Sequence, residues 1–332
     1  MRKYVCLQTS ANANGDSKIL VKERLTVREK GIILMDKAFY KTDKGTMYLD
    51  DCRNFLEKYN KMPDIKKANL IFTSPPFPLN RAKSYGNMTG DEYLKWFSGM
   101  APLFSDVLET DGSIVIEIGN AWEKGIPVHS TLPIETLLKF KEKGNFYLCQ
   151  EFVYYNSSAL PSPIEWVNKK RVRVKDSFTR IWWMSKTPYP KADNRRVLVP
   201  YSKKMKKLID KKKYNAGRRP SEYVIGNSSF AVDNGGAIPP NVMISANTVG
   251  KGPYFEYCKK NNLKIHPARM SRDIPDFFIK FLTQEGDLVI DPFAGSNMTG
   301  AVAECLNRNW IGIEINQSYA EGSKGRFENI NG

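Results

Sequence analysis

The sequence predicts an α/β protein with a mainly parallel sheet, and three observations predict it. Near the C-terminus an apolar strand run, Asp287-Leu-Val-Ile-Asp-Pro292, is followed by a helical stretch from Asn297 to Leu306 and a second strand run, Trp310-Ile-Gly-Ile-Glu-Ile315. Strand, helix and strand within about 30 residues form a βαβ unit, which requires parallel strands covered on both faces. Short apolar runs bounded by breaker residues recur earlier, at 68–73, 112–118, 151–155 and 180–184. Between these regular blocks lies a different composition, rich in Lys and Arg, with few amphipathic helices and many Gly, Pro and Asn turns.

Each element can be justified in order. Residues 1–44 are polar and poorly periodic apart from Gly31-Ile-Ile-Leu-Met35, and either wrap the core or lack order. The run Ala-Asn-Leu-Ile-Phe-Thr over 68–73 must end at Ser74-Pro75-Pro76-Phe77, because proline has no amide hydrogen to donate to a sheet. The stretch after it, 78–90, carries Arg81, Lys83 and two glycines, as a basic loop does. Thr89-Gly-Asp-Glu92 has the capping-box pattern, and Leu94, Phe97, Met100, Phe104 and Val107 then recur at helical spacing, so one helix with an inward apolar stripe is expected. In the C-terminal helix, Ala301, Val302, Cys305 and Leu306 are expected to face inward. Residues 169–175 hold five basic residues in seven, and 203–219 hold nine Lys or Arg with Asp210 the only acid. Two such clusters inserted into a regular α/β chain point to a DNA-contacting lobe rather than a merely solvated face.

Composition narrows the function class. The 332 residues are 41% hydrophobic and 12% aromatic, which supports a full core and argues against disorder. Lys and Arg number 51 against 35 Asp and Glu, a net charge of +16, and that excess favours polyanions, nucleic acid first. Five scattered cysteines without close pairs and only two histidines, His129 and His266, give no disulfide framework and no metal cluster. The N-terminus has no signal-peptide core and no run reaches the length of a membrane span, so a cytoplasmic protein without membrane partner is expected.

Two constellations carry chemistry. Asp291-Pro-Phe-Ala-Gly-Ser296 sits where a parallel strand turns into a helix, the point at which such folds expose a crevice for a nucleotide-like ligand. Gly295 permits close approach there, and Glu314, 19 residues on at the end of the next strand, can accept hydrogen bonds from both ribose hydroxyls. Ser74-Pro75-Pro76-Phe77 suits a harder task. An amine on an aromatic base is a poor nucleophile because its lone pair is delocalised. A Ser hydroxyl and a proline carbonyl can hold its two hydrogens, while a following Phe offers a face on which an extracted base stacks.

These constellations resemble motifs I and IV of the amino-methyltransferases that modify DNA bases, and their order, Ser-Pro-Pro-Phe first, is that of the beta class. In closer detail the chain is similar to the PvuII-type, cytosine-N4-specific members. Tyr85-Gly-Asn87, Leu160-Pro-Ser-Pro-Ile-Glu-Trp-Val-Asn168, Asp233-Asn-Gly-Gly-Ala-Ile-Pro-Pro-Asn241 and His266-Pro-Ala-Arg269 match in order, and the similarity spans about 45–320. The resemblance implies a mainly parallel seven-stranded sheet with one antiparallel strand, an inserted DNA-recognition lobe and S-adenosylmethionine as cofactor. It places Phe293, Gly295 and Ser296 beside the methionine moiety, Asp291 in the same loop and Glu314 on the ribose. The acidic residue at the adenine falls on Asp51, but the PvuII-type protein has Gly where Asp50 stands, so Asp50 and Asp51 both remain candidates. His266 through Thr283 would pack beside the methionine end, with His266 structural.

On this pattern the chain divides into an N-terminal extension (1–44), a catalytic half (45–190), a target-recognition region (191–262) and a cofactor-binding half (263–330). Ser74, Pro75, Pro76 and Phe77 are the catalytic candidates. Arg81, Lys83, Lys169, Lys170, Arg171, Lys203, Lys204, Lys206 and Lys207 are the candidate DNA contacts. Serine at the head of the tetrapeptide is associated in the family mainly with cytosine, so transfer to cytosine N4 of a flipped base in duplex DNA is the expectation. Adenine N6 is the alternative within the fold, and a DNA-binding protein that has lost transfer is the alternative outside it. Methylation at cytosine carbon 5 needs a thiolate, usually after proline, and no cysteine here follows proline. Glutamine methylation is disfavoured by motif order. Restriction-modification membership would add a cognate endonuclease acting on the same site without stable association.

Overall fold

The computed structural model describes residues 7–11, 17–21, 38–78, 88–212, 216–226, 232–245 and 252–328. Strands β1 (Leu7–Ala11) and β2 (Ser17–Val21) pair antiparallel with each other. Nine further strands share one sheet: β3 (Ala38–Lys41), β4 (Gly45–Leu49), β5 (Ala68–Thr73), β6 (Leu108–Gly119), β7 (Tyr147–Asn156), β8 (Phe178–Ser185), β11 (Val242–Ser245), β12 (Leu288–Asp291) and β13 (Asn309–Glu314). The short β9 (Gly217–Arg218) and β10 (Val224–Ile225) form a separate antiparallel pair. The sheet order is β11-β7-β8-β6-β5-β12-β13-β4-β3.

Seven of these strands run in one direction, while β8 opposes both of its neighbours and β3 opposes β4. The fold class is therefore the expected one, with two corrections. The sheet has nine strands rather than seven, and two are antiparallel rather than one. The additions, β3 and β11, lie at the edges, where a strand needs only one partner and where sequence periodicity is weakest.

Burial on both faces explains why the central strands read as unbroken apolar runs. In β5, Ile71 packs into a core beneath α1 (Cys52–Asn60), α2 (Gly90–Ser98), α3 (Ala101–Val107) and α4 (Leu132–Gly144), while Leu70 and Phe72 enter the opposite core under α7 (Asp273–Leu282) and α8 (Met298–Cys305). Two further helices precede α7: α5 (Lys203–Lys211) and α6 (Pro253–Lys260); α9 (Gln317–Ser323) follows α8. Phe72 and Phe278 meet with ring centroids 6.0 Å apart. Each such side chain, fully buried, contributes roughly 1.5–3 kcal/mol.

Local expectations fail at three places for identifiable reasons. The single helix expected from 89 to 107 is two, because the chain breaks at Gly99 and Met100 before Pro102 opens α3 at its first turn. Thr89 is the N-cap of α2, but its side chain makes no capping bond, so the capping box is not formed. Cys305 is exposed, since the short α8 ends there and Ala303 takes the inward position. Gly31–Met35 lies outside the described residues. Among the described residues no helix is long and apolar enough to cross a membrane.

Candidate active site

The C-terminal ends of the parallel strands β4, β5, β6, β7, β12 and β13 and the start of β8 lie on one edge of the sheet, where an α/β fold places its ligand crevice. A cavity of about 560 Å³ opens there. Its wall includes Ser74 through Phe77, Glu117, Phe293 through Ser296, Glu314, and both Asp50 and Asp51. The two constellations, more than 200 residues apart in sequence, are thus brought to one cavity.

The bond that joins them is made by Asp291. Its Oδ1 accepts from Thr73 Oγ1 at 2.7 Å and from the Phe293 amide at 3.1 Å, and its Oδ2 accepts from Thr299 Oγ1 at 2.6 Å. Thr73 immediately precedes Ser74, so Asp291 fixes the end of β5 against the turn after β12. It is a buried brace with both oxygens engaged internally, and burial raises its carboxyl to about 6.

Glu314 is held at the cavity wall by two backbone amides. Its Oε2 accepts from the Gly295 amide and its Oε1 from the Asn316 amide, each at 2.8 Å, which fixes the carboxylate's plane at the cavity wall. Burial pushes its pKa up, opposed by those amides. The neighbouring strand end is tied to it, because the Asp50 amide donates to the Glu314 carbonyl at 3.2 Å. Asp50 spends Oδ1 on the Asp51 amide and Oδ2 on Lys58, whereas Asp51 caps α1 through Oδ1 alone, to the amides of Arg53 and Asn54. Both acids reach the cavity, and Asp51 keeps Oδ2 outside those bonds.

Gly295 has φ +52°, a left-handed conformation suited to glycine, and a Cβ there would sit 3.1 Å from His266 Nε2. The close approach at Gly295 is therefore made by the protein's own imidazole. Nδ1 of His266 faces the Ala268 carbonyl at 2.5 Å, which makes Nδ1 the protonated nitrogen, and burial lowers the ring to about 4. His266 is a neutral packing group at the cavity edge. Ser296 is pinned by Arg326, whose guanidinium donates to Ser296 Oγ at 2.8 Å. Phe293 stands edge-on to Trp96, centroids 5.8 Å apart.

Phe77, also on the cavity wall, rests on Gly119: a Cβ at that glycine would lie 2.3 Å from the ring. Beside it, Glu117 is buried on β6, and the hydroxyls of Ser74 and Thr179 both hydrogen-bond to its carboxylate, Thr179 at 2.9 Å. Burial is the largest influence on Glu117 and raises its pKa. Sequence reading missed Glu117, although its signal was present: a lone carboxylate in Ser-Ile-Val-Ile-Glu-Ile, an otherwise apolar central strand. Cys52 also lines the cavity, but burial pushes its thiol up to about 12, leaving no thiolate nucleophile there.

The candidate DNA contacts are dispersed. Arg81, Lys83 and Tyr85–Asn87 lie outside the described residues. Lys170 and Arg171 are exposed, and Lys169 is exposed but paired with Glu165 at 3.0 Å. Lys203, Lys204, Lys206 and Lys207 are exposed on α5, whose N-terminus is capped by Ser202, and they form no part of the cavity wall.

The chain matches a family model described as DNA methylase over residues 68–325. It is 45% identical over 293 residues to the Type II methyltransferase M.PvuII of Proteus hauseri, covering 88% of this chain and 86% of that protein. It is 26% identical to M.BglII of Bacillus subtilis, over 86% of this chain and 69% of the relative. Among solved structures it is similar to one titled PvuII DNA methyltransferase (cytosine-N4-specific), with TM-score 0.70, 38% identity and coverage of 88% and 89%. A structure titled as the M1.HpyAVI complex with SAM shares the fold at TM-score 0.50 and 18% identity, covering 86% of this chain and 99% of that one.

Proposed function

Because the chain belongs to the DNA methylase family, we propose that it transfers a methyl group from S-adenosylmethionine to the N4 amine of a cytosine rotated out of duplex DNA. The observation that carries the chemistry is the pairing of half-buried Ser74 with buried Glu117, beside Phe77 and in the same cavity as Glu314.

The cavity fits such a cofactor. Its volume lies within the range of small-molecule sites. Glu314 and Asp51 are acceptors for hydroxyl and amine hydrogens, and Phe293 and Trp96 give the cavity wall apolar faces. Glu314 would hold the ribose, Asp51 the adenine end, and Phe293, Gly295 and Ser296 the methionine end. The cofactor supplies an electrophilic methyl group on a sulfonium.

The chain's own residues prepare the amine. Ser74 donates its proton to Glu117, which turns the Ser74 lone pairs outward to accept one amine hydrogen, while the Pro75 carbonyl accepts the other. Both bonds draw the nitrogen lone pair out of conjugation, and Phe77 holds the ring by stacking. As the nitrogen gains positive charge, one proton passes to Ser74 Oγ and that of Ser74 passes to Glu117, whose raised pKa suits it as the acceptor. Asp291 acts at one remove, as a positioning residue through Thr73.

Duplex DNA is gripped by the basic surfaces at 169–171 and 203–207 and by Arg81 and Lys83, in the cytoplasm of a bacterium, where a cognate restriction endonuclease cuts the same site when unmodified. Incubating duplex DNA with the protein and S-adenosylmethionine, then digesting to nucleosides for mass spectrometry, should give N4-methylcytosine. N6-methyladenine alone would replace the target base, and no methylated base from a protein that binds the cofactor would leave a DNA-binding role only.

A further inference from the structure

The segment between β7 and β8, 157–177, leaves the sheet at the mouth of the cavity and returns to it. Ala159 and Asp176 belong to the cavity wall, and Lys175 Nζ donates to the Ala159 carbonyl at 3.0 Å, so the outgoing and returning limbs are joined at the lip. The next residues outward on the two limbs, Leu160 and Val174, are 82% and 86% exposed. Ile164 and Val172 on the same segment are exposed too.

This is no slack loop. The Asp176 amide donates to the Ser162 carbonyl at 3.0 Å, the Val172 amide to Trp166 at 2.9 Å and the Lys170 amide to Glu165 at 2.8 Å, and Arg173 pairs with Asp176 at 3.3 Å. Such bonding orders the segment that carries the two exposed aliphatic side chains beside the cavity. The surrounding charge identifies the occupant: Lys170, Arg171 and Lys175 are exposed on the same segment and match a phosphate backbone, not an apolar protein partner.

We infer that Leu160 and Val174 form a wedge that enters the duplex where the target base leaves it, filling the vacated stack while the base occupies the pocket beside Phe77. The inference rests on the proposed transfer to a flipped base. Apolar side chains inserted between bases replace part of the stacking that is lost when the target base leaves, and so lower the cost of opening the duplex.

The test uses the full chain and a short duplex carrying the site found by sequencing DNA modified by the wild-type protein. In one duplex the target cytosine faces guanine; in the other it faces an abasic position, so that no pairing resists its exit. Single-turnover transfer of labelled methyl is measured for wild type and for the double variant L160A/V174A. The wedge predicts a fall of tenfold or more on the paired duplex and less than threefold on the abasic one, with unchanged cofactor affinity by calorimetry. Equal falls on both duplexes, no fall on either, or lost cofactor affinity would overturn it. No modified base in the DNA sequenced to find the site would instead remove the transferase reading on which it rests.

Discussion

Asp291 allows a sharp test of how the two motif loops are joined. Its carboxyl is almost wholly buried and raised by that burial to about 6, against 3.8 for an ordinary aspartate. The folded protein therefore holds this proton more tightly than the unfolded chain. At 1.36 kcal/mol per pH unit the gap converts to about 3 kcal/mol, present as stability below the unfolded pKa and lost as pH rises through about 6. About half of that loss falls between pH 5 and pH 8. Asp291→Asn keeps the size of the side chain, and the Thr73 and Thr299 hydroxyls can rotate to suit it, but it has no proton to lose. Urea unfolding of both proteins across pH 5–8 should show the variant gaining about 1.5 kcal/mol relative to wild type as pH rises. Glu117 and Glu314, also raised, titrate in both proteins and so largely cancel in the difference. Parallel stability curves would refute the buried, titrating brace.

Gly119→Ala should displace the Phe77 ring, because the new methyl would lie 2.3 Å from it; kcat/KM on DNA should fall about 10–100-fold, the stacking energy of one base, with cofactor affinity intact. Glu314→Ala removes the acceptor of two backbone amides as well as the proposed ribose contact, and calorimetry should show cofactor binding weakened by about 1–3 kcal/mol or more. Replacing Lys203, Lys204, Lys206 and Lys207 by Gln should weaken binding to all DNA sequences alike and flatten its salt dependence, by nearly one unit of slope per lost contact; an unchanged slope would leave α5 as a solvated face.

How far the sequence could be read follows from which forces are local. Strands β5, β12 and β13 are buried on both faces, so their apolar runs stand out, and the breakers after Thr73 and Asp291 mark where the site begins. Glu314 and Ser74 stand at those ends, which made them readable. Edge strands β3 and β11 bury little and have no such signature. The bracing bond of Asp291 depends on Thr73, 218 residues away, and the close approach at Gly295 involves His266, so neither protein contact is legible in the motif itself. Glu117 was hidden by its strand: periodicity marks a run as buried without asking what one carboxylate does inside it.

The central claim is that Glu117, through Ser74, receives the proton released by the amine, and the most direct measurement is the single-turnover transfer rate against pH for wild type and Glu117→Gln. Glu117 must be ionised to accept a proton, and its raised pKa means that ionisation, and with it the wild-type rate, increases as pH rises. Gln keeps the hydrogen bond to Ser74 but takes no proton, so its rate should be about 10²–10⁴-fold lower and flat over the same pH range, with cofactor and DNA affinities retained. A Gln variant within a few-fold of wild type and sharing its pH profile would contradict the account.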